Sequence, residues 1–126
     1  MKAISLHQPW ASMIADGRKT IETRSWPTNY RGELLICSTK KPIIYGLPTG
    51  MALCIVRVVA CRRMMEWDEG KARCPVYDGA YSWFLEDLLK IKPFPVKGSQ
   101  GFFEVDMDFS TKEETCYPSG QEGLFV

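Results

Sequence analysis

The stretch AISLHQPWASMIADGRKTIETRSW, Ala3 to Trp26, decides the fold. Ala3-Ile4-Ser5-Leu6 alternates as a short first strand. Pro9 then takes a position favoured at the start of a helix, with Gln8 or His7 before it. Trp10, Ala11, Met13, Ile14 and Ala15 follow at helical spacing, and Gly17 supplies a C-terminal stop. Thr20 to Arg24 alternates in polarity and is β-branched at three positions, which predicts a second strand. On that strand Thr20, Glu22 and Arg24 share one face, and Ile21 and Thr23 the other. Arg18, Lys19, Glu22 and Arg24 thus gather beside Trp26, directly after an apolar helix.

Working outward, Glu33 to Cys37 reads as a buried strand. Met51 to Val59 is the longest apolar run, and its β-branched content predicts a central strand. The segment Ser38 to Gly50, with two prolines and two glycines, reads as a loop. Arg62 to Asp78 is polar and irregular, with room for one short helix. Tyr81 to Leu85 and Lys90 to Val96 read as two strands; Pro93 and Pro95 place the latter at an edge or bulge. Lys97 to Gly101 reads as a turn, and Phe102 to Val105 as a last strand. These readings predict a mixed α/β but mainly β domain over residues 1–108, a small barrel or pseudobarrel of six to seven strands with one or two short helices. Residues 109–126 read as an extended tail.

Sixteen basic residues stand against fifteen acidic ones in 126 residues, a net charge of +1. That balance argues against broad affinity for duplex nucleic acid, so any anion site must be local. No apolar run is long enough to span a bilayer, and the first residues lack a signal-peptide core, which predicts a cytoplasmic protein without a membrane partner. The five cysteines contain no CxxC pair, and His7 is the only histidine, so neither a metal site nor a cofactor is expected.

The candidate ligand-binding residues are Gln8, Pro9, Trp10, Lys19, Thr20, Glu22, Arg24 and Trp26. Lys19 and Arg24 suit a phosphate or carboxylate. Glu22 can orient a cation, or act as a base if burial raises its pKa. The helix start offers backbone N–H groups to an anion. Trp10 and Trp26 offer faces on which a base can stack. The plain alternative is an ion-pair network on a strand face, with both tryptophans packed as core. Lys97, Gly98 and Gly101 form a weaker phosphate candidate.

The same stretch resembles the N-terminal signature of the ASCH domain, a small module similar to the PUA fold. Gln8-Pro9-Trp10-Ala11 matches the helix opening, Gly17-Arg18-Lys19-Thr20 the turn, and Glu22-Thr23-Arg24 the following strand. YRGELLI, GAYSWFLED and PFPVKGSQGFFEV resemble later strands of the same family. The resemblance implies a PUA-like barrel with a cleft walled by Lys19, Glu22 and Arg24. It also implies an RNA-binding or nucleotide-handling module whose partner is single-stranded RNA or a nucleotide-like small molecule.

One bacterial branch implied by the resemblance hydrolyses N4-acetylcytidine with a Lys, a Thr and a Glu. Lys19 matches its lysine, but Glu22 stands where that branch has its threonine. Glu66 and Glu69 are the candidates for its glutamate. Other relatives are linked to RNA cleavage. As an enzyme, the chain would be an amidohydrolase of this kind or a single-strand ribonuclease, with Lys19 and Glu22 as catalytic residues.

Overall fold

The computed structural model describes residues 1–107 and the backbone of Cys116–Pro118. The elements follow one another as β1 (Lys2–Leu6), α1 (Trp10–Ala15), β2 (Ile21–Arg24), β3 (Gly32–Ser38), β4 (Met51–Arg63), a 3-10 turn (Glu66–Asp68), α2 (Glu69–Ala72), β5 (Tyr81–Pro95), β6 (Phe103–Glu104) and β7 (Cys116–Pro118). One sheet runs β2-β5-β4-β3-β1-β6, with β7 added to β5. Among the described residues this path is open, with β2 and β6 at its ends. The mainly β fold and its two short helices match the sequence reading; the sheet is curved but not closed by hydrogen bonds into a barrel.

The early order is dictated by one chain reversal. β1 and β3 are parallel, Ala3 opposite Leu35 through Leu6 opposite Ser38. Parallel neighbours need a crossover, and α1 with β2 provides it. Both strands are covered on two faces, so apolar side chains divide by the period of two. Ile4, Leu34, Ile36 and Trp83 join the core beneath α1, whereas Ala3, Leu35, Cys37 and Ile55 join a second core on the opposite face. Ala11 and Ile14 are the buried residues of α1. Burying Ile14 alone is worth roughly 1.5–3 kcal/mol. Gly17 ends the helix at φ +86°, a conformation that favours glycine.

Two predicted strands are one. β5 runs unbroken from Tyr81 to Pro95, and Glu86-Asp87, which interrupts the alternation, holds a left-handed residue at Asp87, φ +57°. The β4–β5 register shifts at three places, so bulges bend the long pair. β5 therefore serves two partners along its outer edge, β2 over Tyr81–Phe84 and β7 over Leu89–Ile91. Pro93 and Pro95 lie beyond both, where a missing N–H costs nothing. The sequence tail at 109–126 lies outside the described residues except for β7.

Asp68 organises the connection between β4 and β5. Its buried carboxylate takes a two-point contact from the Arg62 guanidinium at 2.8 and 2.9 Å, the Met65 N–H at 2.9 Å and the Ser82 hydroxyl at 2.9 Å. The bonds from Arg62 come first in holding its pKa below the usual 3.8, with smaller help from Met65 and Ser82 and against the effect of burial. Asp68→Asn is expected to destabilise the fold by roughly 1–3 kcal/mol, measured by urea unfolding at neutral pH. A carboxylate with a depressed folded pKa stabilises above its ordinary value and loses that contribution as pH falls through the folded one. The gap between variant and wild type should therefore narrow on acidification below 3.8.

Candidate functional site

Three charged side chains from the turn after α1 and from β2 form a continuous chain. The Glu22 carboxylate lies 3.6 Å from the Lys19 ammonium through Oε1 and 2.9 Å from Arg24 Nε through Oε2. Arg24 Nη2 continues to the Ser5 carbonyl of β1 at 2.9 Å. Glu22 and Arg24 meet because alternate residues of a strand share a face, as the sequence predicts. Lys19 reaches them because Gly17 turns the chain at the helix end and the Lys19 N–H bonds the Met13 carbonyl at 3.0 Å.

The members differ in exposure. The Lys19 side chain is 2% exposed and also donates to the Ala72 carbonyl, while that of Arg24 is 22% exposed. Burial pushes the Lys19 ammonium below its ordinary pKa of 10.5; the Glu22 charge pulls it part of the way back, and Arg24 adds a smaller push downward. Lys19 is thus a desolvated amine held from two sides, and the accessible cation is Arg24. Among the described residues Arg24 Nη1 has no hydrogen-bond partner.

The array floors a cavity of about 420 Å³ walled by Trp10, Trp26, His7, Thr23, Cys74 and Tyr77. Trp26 sits with one edge in the core, its ring 4.8 Å from that of Trp83 and near perpendicular to it. Trp10 is exposed, with its indole N–H 3.4 Å from the Arg73 carbonyl. Both tryptophans line the cavity, Trp26 partly packed into the core and Trp10 37% exposed.

Three of the other candidates do different work. Gln8 is buried and lies outside the cavity lining. Its Oε1 accepts from the Ser12 N–H at 2.9 Å, and its Nε2 donates to the Ser12 hydroxyl and the Pro48 carbonyl, both at 2.8 Å. It caps α1 and ties it to the 38–50 loop. Pro9 precedes the helix instead of starting it and also lies outside the lining. The backbone N–H groups of Ala11, Ser12 and Met13 are bonded within the chain. Thr20 is exposed on the far side; its backbone links Lys71 to Leu85. Glu66 is exposed away from the cavity, and Glu69 accepts the Val76 N–H at 2.7 Å. His7 bonds Thr39 at 3.0 Å.

Sequence reasoning missed Thr23, Cys74 and Tyr77 as lining. Thr23 belongs to the expected opposite face of β2, yet its hydroxyl lies 3.7 Å from the Cys74 sulfur at the cavity edge. Cys74 and Tyr77 lie in the segment without periodicity, where no signal assigned a position.

The architecture is that of a small, mainly β domain whose curved sheet carries a charged, aromatic-walled cleft beside its first helix. The chain matches the ASCH domain family model over residues 4–95 and belongs to that family. A segment of 40 residues is 55% identical to activating signal cointegrator 1 of Homo sapiens, covering 31% of this chain and 7% of that protein. The Mus musculus protein of the same name is 53% identical over 38 residues, 30% of this chain and 6% of that one. The chain thus spans less than a tenth of those relatives. The solved ASCH structure from Zymomonas mobilis aligns with a TM-score of 0.68 at 18% identity, covering 90% of this chain and 94% of that one. A point mutant of the same protein gives 0.64 at 17%, covering 90% and 97%. At these identities the likeness is one of fold.

Lys19→Met should cost roughly 1–3 kcal/mol by removing the partner of the Ala72 carbonyl and one partner of Glu22. A lysine whose folded pKa is depressed binds fewer protons folded than unfolded just below 10.5, so the contribution of this one group to stability grows as pH rises through that window. The buried thiols of Cys37 and Cys54, whose pKa values burial raises, pull wild type and variant alike the other way, so the measurement is the gap in urea midpoint between wild type and Lys19→Met, which should widen from neutral pH toward 10.5.

Proposed function

We propose that the cleft binds a nucleotide unit of single-stranded RNA or a nucleotide-like small molecule. The observation that carries the reading is the Glu22-anchored Arg24 guanidinium at the floor of a cavity walled by Trp10 and Trp26. Glu22 and the Ser5 carbonyl fix two N–H groups of Arg24, so its free edge is pre-oriented at little entropic cost when an anion arrives. A phosphate oxygen suits that edge, and an exposed indole suits a base. Lys19 supports the site from beneath: it shares Glu22 with Arg24 and keeps the carboxylate in place. The RNA or nucleotide handling implied by the family resemblance agrees with this chemistry. The narrow concavity and the net charge of +1 favour a short single strand over a duplex.

A hydrolytic reading is favoured by one observation, the desolvated Lys19 amine beside Glu22 and Thr23. In that reading Lys19 and Glu22 act on an acylated nucleoside such as N4-acetylcytidine, or on the phosphodiester of a single strand. Release of cytidine or of shortened RNA by wild type, lost in Glu22→Gln, would support it; no turnover leaves the protein as a binding module.

For the binding reading, Trp10→Ala should weaken single-stranded RNA binding by roughly 1–3 kcal/mol. Arg24→Ala should weaken it by roughly 1–3 kcal/mol and lower the salt slope by about 0.7. Fluorescence titration of a labelled oligoribonucleotide at several salt concentrations measures both. Equal binding by wild type and both variants would contradict the assignment.

A further inference from the structure

A second, larger cavity of about 730 Å³ lies beside the one described above. The two share Ser5, His7, Arg24 and Trp26. The second basin is bounded by Ser38 at the end of β3, by Thr39 and Lys40 that follow it, and by the Lys97–Gly101 turn that the sequence singled out. Its charge differs from that of the first. Among the described residues, Arg24, Lys40 and Lys97 line it, and no carboxylate does. Arg24 is already paired with Glu22, so the positive surplus of this basin rests on Lys40 and Lys97, a local attraction for anions in a chain of net charge +1.

The turn also approaches β1 closely. A Cβ on Gly98 would stand 2.6 Å from the Ser5 hydroxyl, so glycine is what lets this wall meet the shared residues. Ser5, the paired His7 and Thr39, and Gln100 offer hydroxyl, imidazole and amide groups of the kind that read sugars and base edges.

We propose that the cleft takes two consecutive nucleotides of a single strand, with the phosphate between them on Arg24, one base against Trp10 and Trp26 in the first basin, and the second unit in the cationic basin under Lys40 and Lys97. Each basin falls within the roughly 300–1,000 Å³ typical of small-ligand pockets, so each has room for one unit. Arg24 is the charged residue common to both, which puts a bridging anion there. Lys40 and Lys97 are exposed, so they can follow the outer phosphate of the second unit without losing a structural partner. This rests on the nucleotide-binding reading of the first cavity and adds the length of strand it takes.

Tryptophan fluorescence titration at fixed salt with AMP and UMP, the 5′-phosphorylated dinucleotides pApA and pUpU, and the matching tetranucleotides tests it. A dinucleotide should bind at least about tenfold more tightly than its mononucleotide, because the second contact is made at high effective concentration. Lengthening to four units should add less than about threefold. In the Lys40→Ala/Lys97→Ala double variant the dinucleotide-to-mononucleotide ratio should collapse to below about threefold. Equal affinity for mono- and dinucleotide would overturn the two-unit footprint and leave the single-unit reading standing, and so would a ratio that the double variant leaves intact. Failure of all these probes to bind would remove both.

Discussion

One buried carboxylate holds the site together. Glu22 sits between an ammonium and a guanidinium, and each of those cations has a second partner on another element, Ala72 for Lys19 and Ser5 for Arg24. The carboxylate thereby links the turn after α1, strand β2, the end of α2 and strand β1. Desolvating a charge is costly unless its partners are close and well directed, so a buried Lys-Glu-Arg chain constrains the backbone around it. It also explains why the most exposed of the three charges can be held still: Arg24 is fixed at two N–H groups before any ligand arrives.

The same arrangement separates support from contact. From sequence, Lys19 and Arg24 look equivalent, two cations flanking a glutamate. In the fold one is nearly inaccessible with a depressed pKa, and the other lies at the junction of two cavities. Gln8 divides in a similar way from Trp10 two residues later. The amide bonds the Ser12 N–H and anchors a loop, and the indole lines the cavity with part of its surface exposed. Residues of one motif therefore serve the ligand directly or through a neighbour, and spacing alone cannot say which.

What was legible followed from periodicity and turn chemistry. The strand at Ile21–Arg24, the central strand beginning at Met51 and the helix ended by Gly17 are each set by local pattern, and the pairing of Glu22 with Arg24 follows from the period of a strand. What was not legible depends on contacts distant in sequence. β5 reads as two strands because Glu86-Asp87 breaks the alternation, although bulges and a left-handed Asp87 carry the pairing through. The 62–78 connection has no periodicity because its order comes from Asp68 gathering Arg62, Met65 and Ser82. For that reason Cys74 and Tyr77, which that connection delivers to the cleft, carry no sequence signal. A barrel was expected from many short strands; the observed sheet stays open because nothing among the described residues joins β6 to β2.

Membership of the ASCH family places the chain in a fold, and the cleft gives that fold a chemistry: a fixed guanidinium, two tryptophans and, alongside, a basin lined by Lys40 and Lys97. The chain has four tryptophans, at 10, 26, 67 and 83, so their indole N–H signals in a heteronuclear NMR spectrum report the site directly. Trp10 and Trp26 line the cleft, and Trp67 is exposed outside it. During titration with a short single-stranded oligoribonucleotide, the Trp10 and Trp26 signals should shift together while Trp67 stays in place. Saturation that moves Trp67 and leaves Trp10 and Trp26 unchanged would contradict the account.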